Sequence, residues 1–297
     1  MKIKVKDLKL NSITDLKNEG KSFYWASFFL PKKAKKNAGL LYSICRYFDN
    51  IADNNEKDET LFLKKSIEQI KEDKDNVVNI FLTNNNIEIS IFIDLIEGLI
   101  LDQKDIVIKD RNELIKYSYC VAGTVGLMMS KIIGVVDNKA APCAIDLGIA
   151  MQITNIVRDV FEDAKMKRIY IPLDSIPNID ISILNGKSKL SERNEKQICE
   201  AIHGLIDLSE QFYKNGFSGL KYIPFKTRLG IFIAANVYRG IGIKIKHSKK
   251  KYLKKRVYLN TFEKIIITMK SVLSFLLIPL FNYKYVELRS KLPNENL

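Results

Sequence analysis

Apolar residues recur at helical spacing along most of this chain, and the polar positions between them gather into stripes. Residues near 14–29 predict a helix that Leu30-Pro31 ends, because the residue before a proline is driven out of the α region. From Ala34 to Asp53 the apolar faces carry Leu41, Ile44, Cys45, Phe48 and Ile51. Tyr42, Arg46, Asp49 and Asp53, spaced 4, 3 and 4, share the remaining stripe. A polar break over 54–59 precedes two further helical stretches, Leu61–Lys71 and Ile87–Leu101. Lys116–Gly134 is an apolar run holding Gly123 and Gly126. A glycine inside a helix costs roughly 1 kcal/mol relative to alanine, so these two mark close backbone approach or room for a ligand. From Ala144 to about Ala164, Gln152, Asn155, Asp159 and Asp163 form a second polar stripe, spaced 3, 4 and 4. Ile149, Ile153, Ile156, Val157 and Val160 cover much of the rest of that helix. An extended loop, KRIYIPLDSIPNID, follows, and then helices over Glu192–Gly216 and about Arg228–His247. Strand signals are nearly absent, so the expected fold is all-α. It is expected to be one domain over 1–297, with a core of about 14–258 and a basic and apolar tail of about 259–297.

Composition narrows the partners. A formal charge of +14 and a pI near 9.4 imply something anionic: a diphosphate, a lipid headgroup or nucleic acid. No nucleic-acid recognition motif is present, and the basic residues cluster beside an apolar tail, so nucleic acid is not expected. That block is Lys244, Lys246, Lys249, Lys250, Lys251, Lys254, Lys255 and Arg256, followed by the apolar segment Ser271–Phe281. Eleven residues are too few to span a bilayer. The segment is therefore either a buried terminal helix or an interfacial helix docked on a membrane surface. Cys45, Cys120, Cys143 and Cys199 lack metal-type spacing and fit reduced thiols, with Cys45 and Cys120 in the core. The N-terminus has no signal-peptide apolar run, which points to a cytoplasmic protein, peripheral on the membrane if the tail docks. The two histidines, His203 and His247, argue against a histidine-dependent hydrolase. Oligomeric state has no signature in the sequence.

The chemistry lies in two aspartate pairs, Asp49 with Asp53 and Asp159 with Asp163. On a helix, residues four apart share a face about 6 Å apart along the axis. Each is thus a like-charge pair that needs a positive partner. Arg46 and Arg158 stand just N-terminal to them. One such pair is commonplace on solvated helices. Two of them, each in an apolar context and sharing a stripe with Arg, Asn, Gln or Tyr, point to hard cations such as Mg2+ (or Mn2+) that in turn hold a diphosphate. Arg239-Gly240-Ile241-Gly242 follows no strand and makes no dinucleotide fingerprint.

Four segments then resemble the phytoene/squalene synthase family, the head-to-head branch of the all-α isoprenoid synthases. They are SFYWASFFLPKKAKKNAGLLYSICRYFDNIAD, YSYCVAGTVGLMM, AMQITNIVRDVFEDAKMKRIYIP, and the late VYRG with RVY. The third is the most specific, because Q-x-x-N-x-x-R-D-x-x-x-D sets five positions within twelve residues. The resemblance covers roughly Lys21 to Arg256 and implies a helical bundle around a central apolar cavity. It also implies that Asp49, Asp53, Asn155, Asp159 and Asp163 bind Mg2+. Ser22, Tyr42, Arg46, Gln152, Arg158, Tyr238 and Arg256 would contact the diphosphates. Tyr117 and Tyr170 would stand near the reacting carbons, and Phe23, Val121, Val125 and Gly126 would line the prenyl pocket. The implied reaction joins two prenyl diphosphates. The wording SFxxASxFLPK and RDVFEDAxxxRIYIP resembles phytoene synthases of bacteria, which use geranylgeranyl diphosphate without NADPH. Farnesyl-using squalene, dehydrosqualene or presqualene diphosphate synthases are the alternative, and a catalytically silent helical scaffold the non-enzyme one. One departure is Asn50, where relatives often carry a second aspartate.

Overall fold

The computed structural model describes residues 16–17, 20–53, 57–103, 105–248, 251–253, 255–277 and 283–295. The first helices are α1 (Lys21–Ser27), α2 (Lys32–Asp53), α3 (Lys57–Glu72), α4 (Val77–Asn84) and α5 (Ile89–Asp102). After them, α6 (Arg111–Ser118), a π-helical turn (Tyr119–Gly123) and α7 (Thr124–Ile132) run on as one bent helix. The remaining helices are α8 (Ala141–Lys165), the short α9 (Ile181–Leu184), α10 (Glu192–Ser218), α11 (Phe225–Lys246) and α12 (Thr261–Leu277). Among the described residues, β-structure is confined to one parallel bridge, Val107 with Ile169. The all-α expectation therefore holds. Local chemistry sets the starts of several helices. Asp110 accepts from the amides of Asn112 and Glu113 at the start of α6, and Ser191 from that of Asn194 at the start of α10.

α8 is the central helix, packed against α10, α7, α11 and the π turn. Its length and apolarity would allow it to cross a membrane, but 67% of its most apolar stretch is buried inside the protein, as a core helix requires. Ile145, Ile149, Ala150 and Ile153 are wholly buried. Two glycines set how closely it meets the bent helix. A Cβ on Gly126 would stand 2.2 Å from the Ala144 carbonyl oxygen, and one on Gly148 would stand 2.3 Å from that of Ala122. Both obstacles are backbone, so neither can rotate away. Gly126 thus serves close helix approach, the first of the two roles its position in the sequence allowed. Gly148→Ala is expected to lower stability by about 2–3 kcal/mol through overpacking, readable as a shift of the urea midpoint. An unchanged midpoint would mean that the two helices are free to separate.

Two helices had no counterpart in the sequence reading, α4 and the short α9, and α6 begins five residues before the apolar run that suggested it. The expected tail helix begins at Thr261 and is described to Leu277, so the last part of Ser271–Phe281 lies outside the described residues. It is not a buried terminal helix. Its only buried residues are Thr268 and Ser271, while Phe262, Met269, Leu273, Leu276 and Leu277 are exposed.

Candidate active site

The two polar stripes sit on α2 and α8, and a residue outside both joins them. At the end of α8 the chain turns through Lys167, a non-glycine residue at φ 63°, and the Arg168 amide donates to the Asp163 carbonyl at 2.9 Å. The Arg168 side chain then reaches back. Nη1 donates to Asp53 Oδ1 at 2.7 Å and Nε to the Asp102 carbonyl at 3.2 Å. Its side chain is 8% exposed, and it is felt electrostatically by Asp49, Asp102 and Asp163. One buried cation thus stands among carboxylates from α2, α5 and α8.

Each acidic pair carries the tension that its spacing implies. Burial first, then Asp53, raises the Asp49 carboxyl above the usual range, against the lowering effects of Arg46 and Arg168. Arg46 Nη1 pairs with Asp49 Oδ2. Asp163 is pushed up to about 8, by burial and then by Asp159. It lies among Ile156, Val160, Tyr170 and Leu184, whose apolar side chains account for the burial. Asp159 is differently held. Arg158 grips it with two hydrogen bonds, Nε to Oδ1 at 2.8 Å and Nη2 to Oδ2 at 2.6 Å. Arg256 Nη2 adds a third at 2.8 Å. Arg256 Nε lies 2.6 Å from Oδ1 but off the N–H axis, so that contact is ionic and leaves the Nε hydrogen unused.

Tyr238 is buried beside this cluster, and burial leads in raising its hydroxyl while Arg158 and Arg256 oppose the shift. Phe23 of α1 tilts against its ring, with centroids 4.7 Å apart, and lies 6.5 Å from the Tyr42 ring. Ser22 precedes Phe23 on the same short helix. Gln152 is a turn away on α8, where its Oε1 accepts weakly from Asn155 Nδ2 at 3.4 Å. Val121 and Val125 are half-buried against the core. Arg256, Tyr238 and Arg158 therefore do gather at Asp159, while Gly126 turns toward the α8 backbone instead.

Whether a metal suits these residues is a question of donors. Among the described residues no three His, Cys, Asp or Glu side chains already form a cage. The oxygens available come from four aspartates and from Asn155 Oδ1, which is buried without a hydrogen-bond partner one turn before Asp159. An all-oxygen set with an orphaned carbonyl suits a hard divalent cation.

The squalene/phytoene synthase family model matches residues 16–263. The chain belongs to that family, and it is a prenyltransferase. A 15-cis-phytoene synthase of Pantoea ananas is 26% identical over 272 residues, 84% of this chain and 86% of that protein. A phytoene synthase of Thermus thermophilus is 29% identical over 268 residues, covering 87% and 90%. A crystal structure of a dehydrosqualene synthase in complex with ligand superposes with a TM-score of 0.79 at 25% identity, covering 92% and 97%. The squalene synthase HpnC from Alicyclobacillus acidocaldarius, at 18% identity and TM-score 0.70, shares the fold.

The sequence reading of this prenyltransferase missed two site residues, Arg168 and Asp102. Arg168 sits inside the quoted KRIYIP segment, where an arginine among lysines is its only local signal. Asp102 ends α5 and has none. It accepts from Tyr117 Oη at 2.9 Å and from Tyr170 Oη at 2.6 Å, and the two rings stack with centroids 4.7 Å apart. Burial raises its carboxyl to about 6, although Tyr170, Tyr117 and Arg168 pull the other way. The folded state thus binds this proton more tightly than the unfolded one. Its share of stability is greatest below about pH 4, declines as pH rises to about 6 and is constant above. About two units correspond to about 3 kcal/mol. Relative to Asp102→Asn, the parent is expected to lose that amount between pH 4 and 6 in chemical denaturation. Parallel pH profiles would contradict it.

Proposed function

We propose that this enzyme joins two molecules of geranylgeranyl diphosphate head to head, through a cyclopropylcarbinyl diphosphate, to phytoene. Two diphosphates and two protons leave, one proton as the cyclopropane closes and one as the central triene forms, and no reductant is consumed, so NADPH has no part. The observation that carries this reading is the meeting of two acidic stripes from separate helices at one buried guanidinium, with a second arginine cluster on Asp159. The named phytoene synthases, related over most of their length, support the forty-carbon product.

Asp49, Asp53, Asn155, Asp159 and Asp163 would hold Mg2+, or Mn2+ in the same oxygen shell. When bound, it would supply charge stabilisation to the departing diphosphate. Arg46, Arg158 and Arg256 bind diphosphate oxygens by charge-assisted hydrogen bonds, with Ser22, Tyr42, Gln152 and Tyr238 completing the cradle. Phe23, Val121 and Val125 exclude water along the prenyl chains. Tyr117 and Tyr170, held as neutral hydroxyls by Asp102, present their ring edges and faces to the cation, and each of the two protons passes to released diphosphate.

A farnesyl-using reading draws on the dehydrosqualene synthase superposition. The deciding assay supplies Mg2+ with farnesyl or geranylgeranyl diphosphate, each with and without NADPH, and identifies hydrocarbons by mass spectrometry. Phytoene from the twenty-carbon substrate, indifferent to NADPH, is the expected product. A thirty-carbon hydrocarbon would move the enzyme to the alternative, and no product from either would overturn catalysis.

A further inference from the structure

α12 is built inside out. Thr268 and Ser271 are its buried residues, while Phe262 is 69% exposed, Met269 66%, Leu273 57% and Leu276 73%. Those four are spaced 7, 4 and 3, so they form one apolar stripe along the outer face. The opposite face holds α12 to the core, where Phe275, four residues after Ser271, meets Phe225 of α11 with ring centroids 5.9 Å apart. A contiguous exposed apolar surface of this kind marks a contact with something apolar.

Charge identifies what. The single carboxylate of α12, Glu263, is taken by Lys244 at 2.7 Å. Lys270 on α12 and Lys226 beside Phe225 are exposed, and no described residue pairs with either. Lys264, one turn before Thr268 on the inner face, is half-buried beside Lys21 of α1. An apolar stripe bordered by unneutralised lysines complements an anionic lipid surface, in which leucine and methionine enter the acyl boundary and lysines meet the headgroups. A second copy of the chain is disfavoured, because a twofold contact through this face would lay the lysine border against itself. We propose that the outer face of α12, Phe262, Met269, Leu273 and Leu276 with Lys270 at its border, docks this enzyme on an anionic bilayer. α1 lies between that face and the candidate site: Phe23 turns to Tyr238, while Trp25 Nε1 donates to Thr268 Oγ1 of α12 at 2.9 Å. α1 and α12 thus stand between a prenyl chain at the site and the docked surface.

Trp25 is the sole tryptophan and touches α12, so it reports docking without a label. The full chain is mixed with vesicles of phosphatidylcholine alone or with phosphatidylglycerol, and with the same lipids brominated on the acyl chains. Binding is read by co-sedimentation and quenching. The parent is expected to bind the anionic vesicles with quenching and to bind the neutral ones weakly. Leu273→Glu and Leu276→Glu should each weaken binding about tenfold or more, and Lys270→Gln about fivefold. All three positions are exposed, so melting temperature and turnover on detergent-dispersed substrate should stay at parental values. Parental binding by the leucine variants overturns the proposal, as does failure of the parent to bind or quench. A concentration-dependent dimer that Leu273→Glu abolishes would assign the face to a second copy instead.

Discussion

Asp163→Asn is expected to lower turnover by at least about a thousandfold while leaving the metal-free protein as stable as the parent, or more so. No described residue hydrogen-bonds this carboxyl, and burial together with Asp159 lifts it to about 8. The metal-free fold therefore gains nothing from its charge. If it completes an oxygen shell for Mg2+ on the diphosphate, its loss removes stabilisation felt mainly as the leaving group departs. A thousandfold corresponds to about 4 kcal/mol of barrier. Asp159→Asn makes the informative contrast. Asp159 is the shared counter-ion of Arg158 and Arg256, so its neutralisation leaves two guanidiniums crowded together. That variant should lose both turnover and thermal stability, and added pyrophosphate should restore part of the stability by taking the place of the carboxylate between the arginines. The measurements are kcat and melting temperature with and without Mg2+ and pyrophosphate. Turnover of Asp163→Asn within tenfold of the parent would remove it from the metal set. Collapse of its melting temperature would make it structural.

Local periodicity carries far in this fold, and its reach ends where partners are remote in sequence. α2, α8, α10 and α11 were readable because each pairs an unbroken apolar face with a polar stripe, and α8 was extended only by its proline-containing first turn. α4 escaped because eight residues give two turns, too few for a period to stand out from the loop around it. The gathering of Arg158, Asp159 and Arg256 lay within a recognised motif and its late companion segment. Asp102 lay in none of the quoted segments and Arg168, though inside the third, had no assigned role there, since their bonds to each other, to Tyr170 and to Asp53 span 66 to 115 residues and no pattern of either neighbourhood encodes them. The tail was readable as an apolar helix, but not the side on which its apolar residues would lie. Hydropathy counts leucines, whereas burial depends on which face α1 and α11 cover, and they cover the threonine and the serine.

The least readable feature carries the largest expected stability effect. Residues 283–295 fold back over the core, and Arg289 Nε donates to Asp146 Oδ1 at 2.7 Å, the two side chains 3% and 0% exposed. Asp146 also accepts from Asn215 Nδ2 at 2.7 Å, and the same asparagine brackets Val286 through its amide and carbonyl. Farther along, Tyr119 Oη donates to the Pro293 carbonyl and Asn294 Nδ2 to Asp94. Burial raises the Asp146 carboxyl and Arg289 holds it down. Arg289→Ala would strand a buried carboxylate, a loss of about 3–5 kcal/mol, readable in urea denaturation of the full chain. Arg289 also pairs with Glu295, 10% exposed, so Asp146→Asn and Glu295→Gln with Arg289→Met removes all three charges and should cost far less, because the penalty belongs to the unpaired ion rather than to the missing bridge. Turnover per folded molecule should be parental in both. Asp146 lies 13 residues before Asp159 on α8, about 20 Å along the axis. Equal losses in the single and triple variants would place the stabilisation in packing of the strap, not in its buried charge.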